Sequence, residues 1–235
     1  MSRRFWFILI AIVVIFGVIY KLQAGNSKTT SNSGAKGTSH VLGKGSTGIT
    51  LVEWGDYECP YCAQYAPFVK QAQATFNDKI YVQFRNLPLT QIHPNALQAA
   101  RAAEAAGLQN KFWEMHDALY STQQSWASLS NPTSVFVNIA KQLGLNTTQF
   151  NSDMNSETVN NLINGDKNDF AKTGFEEGTP TFTIGGKQVK PNGSVESISA
   201  FIQNAIDAKQ GKKTTTTTNS GASNQSVQAK PTTKQ

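Results

Sequence analysis

With 235 residues and 39% hydrophobic content, the chain can bury one ordinary core and is too short for two generous ones. The formal net charge of +6 could suggest a nucleic-acid binder, yet Ser46 to Lys209 holds 11 basic against 15 acidic residues. The basic excess therefore sits at the two ends, where it suits a membrane flank or a cell-surface setting, and nucleic acid is not implied as a partner.

Residues 5 to 20, "FWFILIAIVVIFGVIY", are an unbroken apolar run preceded by Arg3 and Arg4 and closed by Lys21. Its length lies between a signal-peptide core and a full span. Only the weak "LQA" at Leu22 to Ala24 offers a processing site, so a transmembrane anchor over 5–22 (a signal-anchor) is favoured over a cleaved signal peptide. In either case residues 1–4 stay in the cytoplasm and the rest is exported. A core helix would not lie at the extreme N-terminus with arginine flanks. Residues 23–46 are rich in Gly, Ser, Thr, Asn and Lys and read as a flexible linker.

Strand, helix, strand follows. "ITLVE", Ile49 to Glu53, has strand length; Pro60 to Thr75 reads as a helix with proline in its first turn; "IYVQFRNLPL", Ile80 to Leu89, alternates as a second strand. That order favours a parallel pair with a right-handed crossover. Helical signals fill about 91–174: the alanine-rich "NALQAARAAEAAG", then "NKFWEMHDALYS" with Phe112, His116 and Leu119 on one face, then "PTSVFVNIAKQLG" running from a proline to a glycine. "TPTFTIGGKQV", Thr179 to Val189, reads as a hairpin turning at Gly185-Gly186, and Val195 to Ala208 as a closing amphipathic helix. Residues 210–235 are low-complexity and are expected to be disordered.

The only cysteines, Cys59 and Cys62, lie together in "DYECPYC". A zinc site lacks its other ligands, because His40, His93 and His116 have no metal-like spacing with the pair, so no metal is expected. A staple closing so short a loop would constrain the unfolded chain little. A redox pair explains the placement: a cysteine between a strand and a helix points its sulfur at free backbone N–H groups and the positive helix end, which favours thiolate. Cys59 is then the nucleophile, and Cys62, one turn into the helix, resolves the mixed disulfide.

These motifs, "DYECPYC" after a strand, "KFWEMHDALY" in the helical block and "GTPTFTIGGKQV" near the end, resemble the DsbA-like thiol:disulfide oxidoreductases of the thioredoxin fold, in their membrane-anchored or exported bacterial branch. The resemblance spans about 47–209 and implies an α/β thioredoxin-like domain with a helical insertion. It implies a cis-proline loop at Thr179-Pro180 that pairs with extended substrate, against the ordinary alternative of a proline starting an edge strand. It also implies a buried acid at Glu53 that exchanges a proton with Cys62, against the alternative of a strand-end glutamate in solvent. Pro60 and Tyr61 tune the pair, and the family's strongest oxidants carry histidine where this chain has Tyr61. Asp56 and Glu58 are expected to oppose the thiolate, and His116 to be a packed helix residue.

The activity expected is a protein-disulfide oxidase of exported proteins, with a reductase or isomerase on the same fold as the alternative. Its redox group would be the Cys59–Cys62 disulfide with no other cofactor. Its partners would be reduced exported proteins and a membrane reoxidase of the DsbB or VKOR type, and the chain would act as a monomer.

Overall fold

The structure is a computed structural model that describes residues 37–212. The segments expected to be the membrane anchor (5–22) and most of the C-terminal tail lie outside the described residues. Among those residues no helix is long and apolar enough to cross a membrane.

Five strands form one sheet in the order β1-β3-β2-β4-β5. The central β2 (Ile49–Gly55) runs parallel to β3 (Ile80–Asn86), the two joined through α1 (Pro60–Phe76), as the strand–helix–strand pattern requires. Both strands outlast or fall short of their sequence-derived bounds by two or three residues. β2 continues through Trp54 and Gly55 because they still pair with Arg85 and Asn86, and β3 stops at Asn86 because the partner strand has ended.

On the other side of β2, β4 (Thr181–Ile184) pairs antiparallel and folds back into β5 (Lys187–Val189). Gly185 and Gly186 carry φ of 58° and 76°, the pair of positive angles a two-residue turn needs. The helical insertion comprises α2 (Ala96–Gly107), α3 (Phe112–Ser121), α4 (Gln123–Trp126), α5 (Thr133–Gln142), α6 (Thr147–Met154) and α7 (Glu157–Ala171), and α8 (Val195–Lys209) closes the domain.

Side-chain alternation divides the core. Ile49, Leu51, Ile80 and Val82 meet Val69, Ala72 and Phe76 of α1 and Ile198, Ile202 and Ile206 of α8. Further along the same strand, Phe84 joins the insertion's core with Tyr57, Cys62, Phe112, Met115 and Leu119. Trp54, Leu87 and Phe170 form a third cluster that brings in α7. The alanine run of α2 is buried throughout its core face, which lets the neighbouring helices approach closely.

The expectation of a flexible linker through residue 46 is corrected for residues 37–46. Val41–Leu42 form β1, antiparallel to β3 at the sheet edge. Thr38, 3% exposed, gives its backbone N–H and hydroxyl to the two oxygens of Asp166, each at 2.8 Å. Asp166 also receives the backbone N–H of Asn86 at 2.8 Å, while the Asn86 amide donates to Glu104 at 2.7 Å. His40 reaches Glu104 at 2.8 Å and stacks on Phe112 with ring centroids 3.4 Å apart. Composition hid this, because small and polar residues look like tether when their partners lie on distant helices.

Thr38→Val leaves a fully buried carboxylate one donor short, so urea unfolding of that variant is expected to show a loss of about 1–3 kcal/mol. An unchanged midpoint would mean that the segment does not dock in solution.

Candidate active site

The site is built where β2 ends and α1 begins. Cys59 occupies the N-cap of α1 with extended backbone (φ −67°, ψ 121°), and Pro60 takes the first helical position, where a missing N–H costs nothing. Cys59 is 4% and Cys62 0% exposed, and both stand as free thiols. Cys59 Sγ lies 3.3 Å from the carbonyl oxygen of Thr179, and the Thr179-Pro180 bond is cis. Residues 120 apart in sequence thus meet at one sulfur.

The two sulfurs differ sharply in acidity. The Cys59 thiol is lowered from 9.0 to about 5, chiefly by the Cys62 thiol donating to its sulfur; burial opposes the shift, and the Thr179 side chain and the N–H groups of Cys62 and Tyr61 add to it. Thr179 Oγ1 is buried with no hydrogen-bond partner, and the contact of Cys59 Sγ with this residue is to its carbonyl oxygen. Cys62 is pushed well above 9.0, mainly by its burial and then by the neighbouring Cys59 and Glu53. At neutral pH the pair therefore holds one thiolate, on the outer cysteine.

Glu53 is in the sheet and not in solvent. It is 2% exposed, its Oε1 has no hydrogen-bond partner, and burial, with the Cys59 charge second, raises its carboxyl from 4.5 to about 8. Pairing with Phe84 of β3 and Phe182 of β4 holds it in the central strand.

Asp56 and Glu58 are tied into hydrogen bonds beside the site, and neither is among the leading influences on the Cys59 thiol. Asp56 accepts the N–H of Glu58 at 2.8 Å and of Leu89 at 2.9 Å and meets His93 Nδ1 at 2.7 Å. Glu58 accepts the N–H of Asn95 at 2.6 Å. Both carboxylates are spent on fixing the turn before Cys59 to the loop after β3, and the Cys59 thiol stays low beside them.

Gln123 completes the clamp from the insertion, its amide donating to the carbonyls of Tyr57 at 2.8 Å and Cys59 at 3.0 Å. Sequence reading missed Gln123 and His93, since a lone glutamine or histidine across a long insertion carries no local signal. Tyr61 is 63% exposed beside the sulfur. A groove of about 300 Å³ runs from Tyr61 and Tyr65 past Thr179, Pro180 and Phe182 to Val189. His116 is buried among aromatic rings, as expected for a packed residue.

A buried outer thiolate beside a shielded thiol, at the start of a helix and against a cis-proline loop, defines a thioredoxin-type dithiol site. The chain belongs to the thioredoxin family: a family model described as Thioredoxin matches residues 35–204. A thioredoxin-like oxidoreductase from Silicibacter pomeroyi is 30% identical, covering 74% of this chain and 93% of that one, with a TM-score of 0.59.

BdbD from Bacillus subtilis, in its oxidised form, is 24% identical over 71% of this chain and 92% of that one, with a TM-score of 0.62. The DsbA of Xylella fastidiosa, 20% identical, covers 69% and 87% with a TM-score of 0.58. These two show the fold, and the DsbA-like resemblance read from the motifs stands. Among curated proteins the chain resembles Na(+)/H(+) antiporters, such as NhaA 1 of Salinispora arenicola, 38% identical over 71% of this chain. It spans about a quarter of the length of such relatives (24%).

The opposite shifts of Cys59 and Glu53 have opposite consequences for stability. The depressed Cys59 thiol stabilises the reduced fold above pH 9, and this contribution is lost as pH falls through about 5. The raised Glu53 carboxyl favours the fold below pH 4.5, and this contribution is lost as pH rises through about 8. Glu53→Gln removes the second slope, so in denaturant titrations of the reduced protein the variant is expected to gain on wild type from pH 5 to about pH 8 and to level off above it. A constant difference would place the carboxyl in solvent.

Proposed function

We propose that the protein is an extracytoplasmic thiol:disulfide oxidoreductase that forms disulfides in exported proteins. The observation that carries this reading is the low thiol of Cys59 beside the high thiol of Cys62. A stabilised thiolate stabilises the reduced enzyme, and a couple whose reduced form is stabilised is an oxidant.

The cycle starts from a Cys59–Cys62 disulfide, the only redox group the reaction needs. A substrate thiolate attacks Cys59 Sγ; the Cys59–Cys62 bond breaks, and Cys62 leaves as a thiolate that takes the proton of Glu53. The substrate's second thiolate then attacks its own sulfur in the mixed disulfide and releases Cys59 as the stable thiolate. Two electrons have passed from the substrate dithiol to the enzyme, and a membrane reoxidase of the DsbB or VKOR type would remove them.

Thr179 and Pro180 border the groove in which extended substrate would lie, and Pro60 and Tyr61 set the sulfur's surroundings. The apolar run at residues 5–20 would hold the domain outside the membrane as an uncleaved anchor. Antiport is not proposed for this domain: it corresponds to a quarter of those relatives, and its described residues include no helix fit to span a membrane.

Two measurements test the assignment. Cys62→Ser is expected to accumulate mixed disulfides through Cys59, while Cys59→Ser traps almost none; equal trapping by the two would sink the assigned roles. Thiol trapping in cells should find the wild-type pair mostly oxidised, and a mostly reduced pair would turn the reading to a reductase.

A further inference from the structure

Under the cycle above, Glu53 is left as a carboxylate once Cys62 has taken its proton, in a position that is 2% exposed. A cavity of about 80 Å³, room for about two water molecules, adjoins it. Its polar lining comprises the buried Glu53 and His116 and the less buried Lys70, Gln73 and Asp117.

A wider cleft of about 480 Å³ between α1 and α3 shares Ala66, Lys70 and Asp117 with that cavity. The cleft is also lined by Ala63 and Pro67, and Pro67 has no N–H to give the Ala63 carbonyl. His116 Nδ1 lies 3.2 Å from Asp117 Oδ1, and Asp117 Oδ2 meets Lys70 Nζ at 2.5 Å. Lys70 and Asp117 are solvent-exposed on their side chains, at 69% and 44%.

We propose that His116 is a positioning residue of the exchange cycle, relaying the proton of Glu53 to and from solvent along the α1–α3 cleft with Asp117 at its outer end. This rests on the acid–base role of Glu53. The Nδ1 nitrogen is engaged by Asp117, which leaves Nε2 for water in the cavity. When Glu53 has protonated the departing Cys62, His116, whose Nδ1–H donates to Asp117, takes a solvent proton on Nε2 and passes it through the cavity to the carboxylate, returning to its neutral form. No electrons use this route.

The groups that face His116 are Asp117 and Tyr120 on its own helix, Lys70 on α1, Glu53 on β2, Tyr57 in the turn before α1 and His40 ahead of β1. Burial lowers the imidazole and Asp117 partly opposes this, so the ring is neutral at neutral pH and able to take a proton on Nε2 while its Nδ1–H donates to Asp117.

The test is single-turnover release of a small thiol from a mixed disulfide at Cys59, driven by Cys62, at pH 7. His116→Phe keeps the packing and is expected to slow release about tenfold or more. Added imidazole should restore His116→Ala but not Glu53→Gln, and His116→Phe should cost nothing further in a Glu53→Gln background. Asp117→Asn, at an exposed side chain, should slow release in the same direction without disturbing the core.

Wild-type rates in His116→Phe or Asp117→Asn, or a loss additive with that of Glu53→Gln and unmoved by imidazole, would overturn the relay while leaving Glu53 its role. A wild-type rate in Glu53→Gln would instead overturn the role of Glu53, and the relay with it.

Discussion

The site depends on a helix that begins at a sulfur. Cys59 caps α1 without a side-chain hydrogen bond to the helix, so its sulfur stands at the open first turn, where the N–H groups of Cys62 and Tyr61 help to hold its thiol low. The rest of the domain fixes that point. The parallel β2–α1–β3 unit aims the helix, Asp56 and Glu58 tie the turn before it to the loop after β3, Gln123 grips two carbonyls from the insertion, and the Thr179-Pro180 loop closes the far side.

The same placement separates the two cysteines chemically. One turn along the helix, Cys62 is carried below the surface into the core shared with Tyr57, Phe84 and Leu119. Burial there stabilises the thiol and not the thiolate, and the charge that Cys62 gives up is favoured on Cys59. Glu53, in the adjacent strand and equally buried, is held near the pH at which a carboxyl can both give and take a proton. The dry interior that makes the fold stable is also what divides the roles of the three groups.

Buried polar residues elsewhere show how the insertion is locked to the sheet. Asp166 and Glu104, both fully enclosed, collect donors from Thr38, Asn86 and His40. Each satisfied donor is worth little net, yet leaving one unmet is costly, so the network specifies a single docking of the N-terminal segment.

The amino-acid sequence by itself determined the elements with strong local signals: the alternation of Ile80, Val82 and Phe84, the proline at the start of α1, the glycine pair of the hairpin, and the spacing of Cys59 and Cys62, because each rests on contacts within a few residues. It also determined, through three motifs in order, which family the chain resembles.

Tertiary structure alone decided where the polar side chains found partners. Asp56 and Glu58 look in sequence like charges crowding a sulfur, and Thr38 to Leu42 like tether, because the Leu89, Asn95 and Asp166 groups that receive them lie 33 to 128 residues away. A hydrogen bond over such separations leaves no periodicity to read; only the folding of the insertion back onto the sheet brings its two ends together.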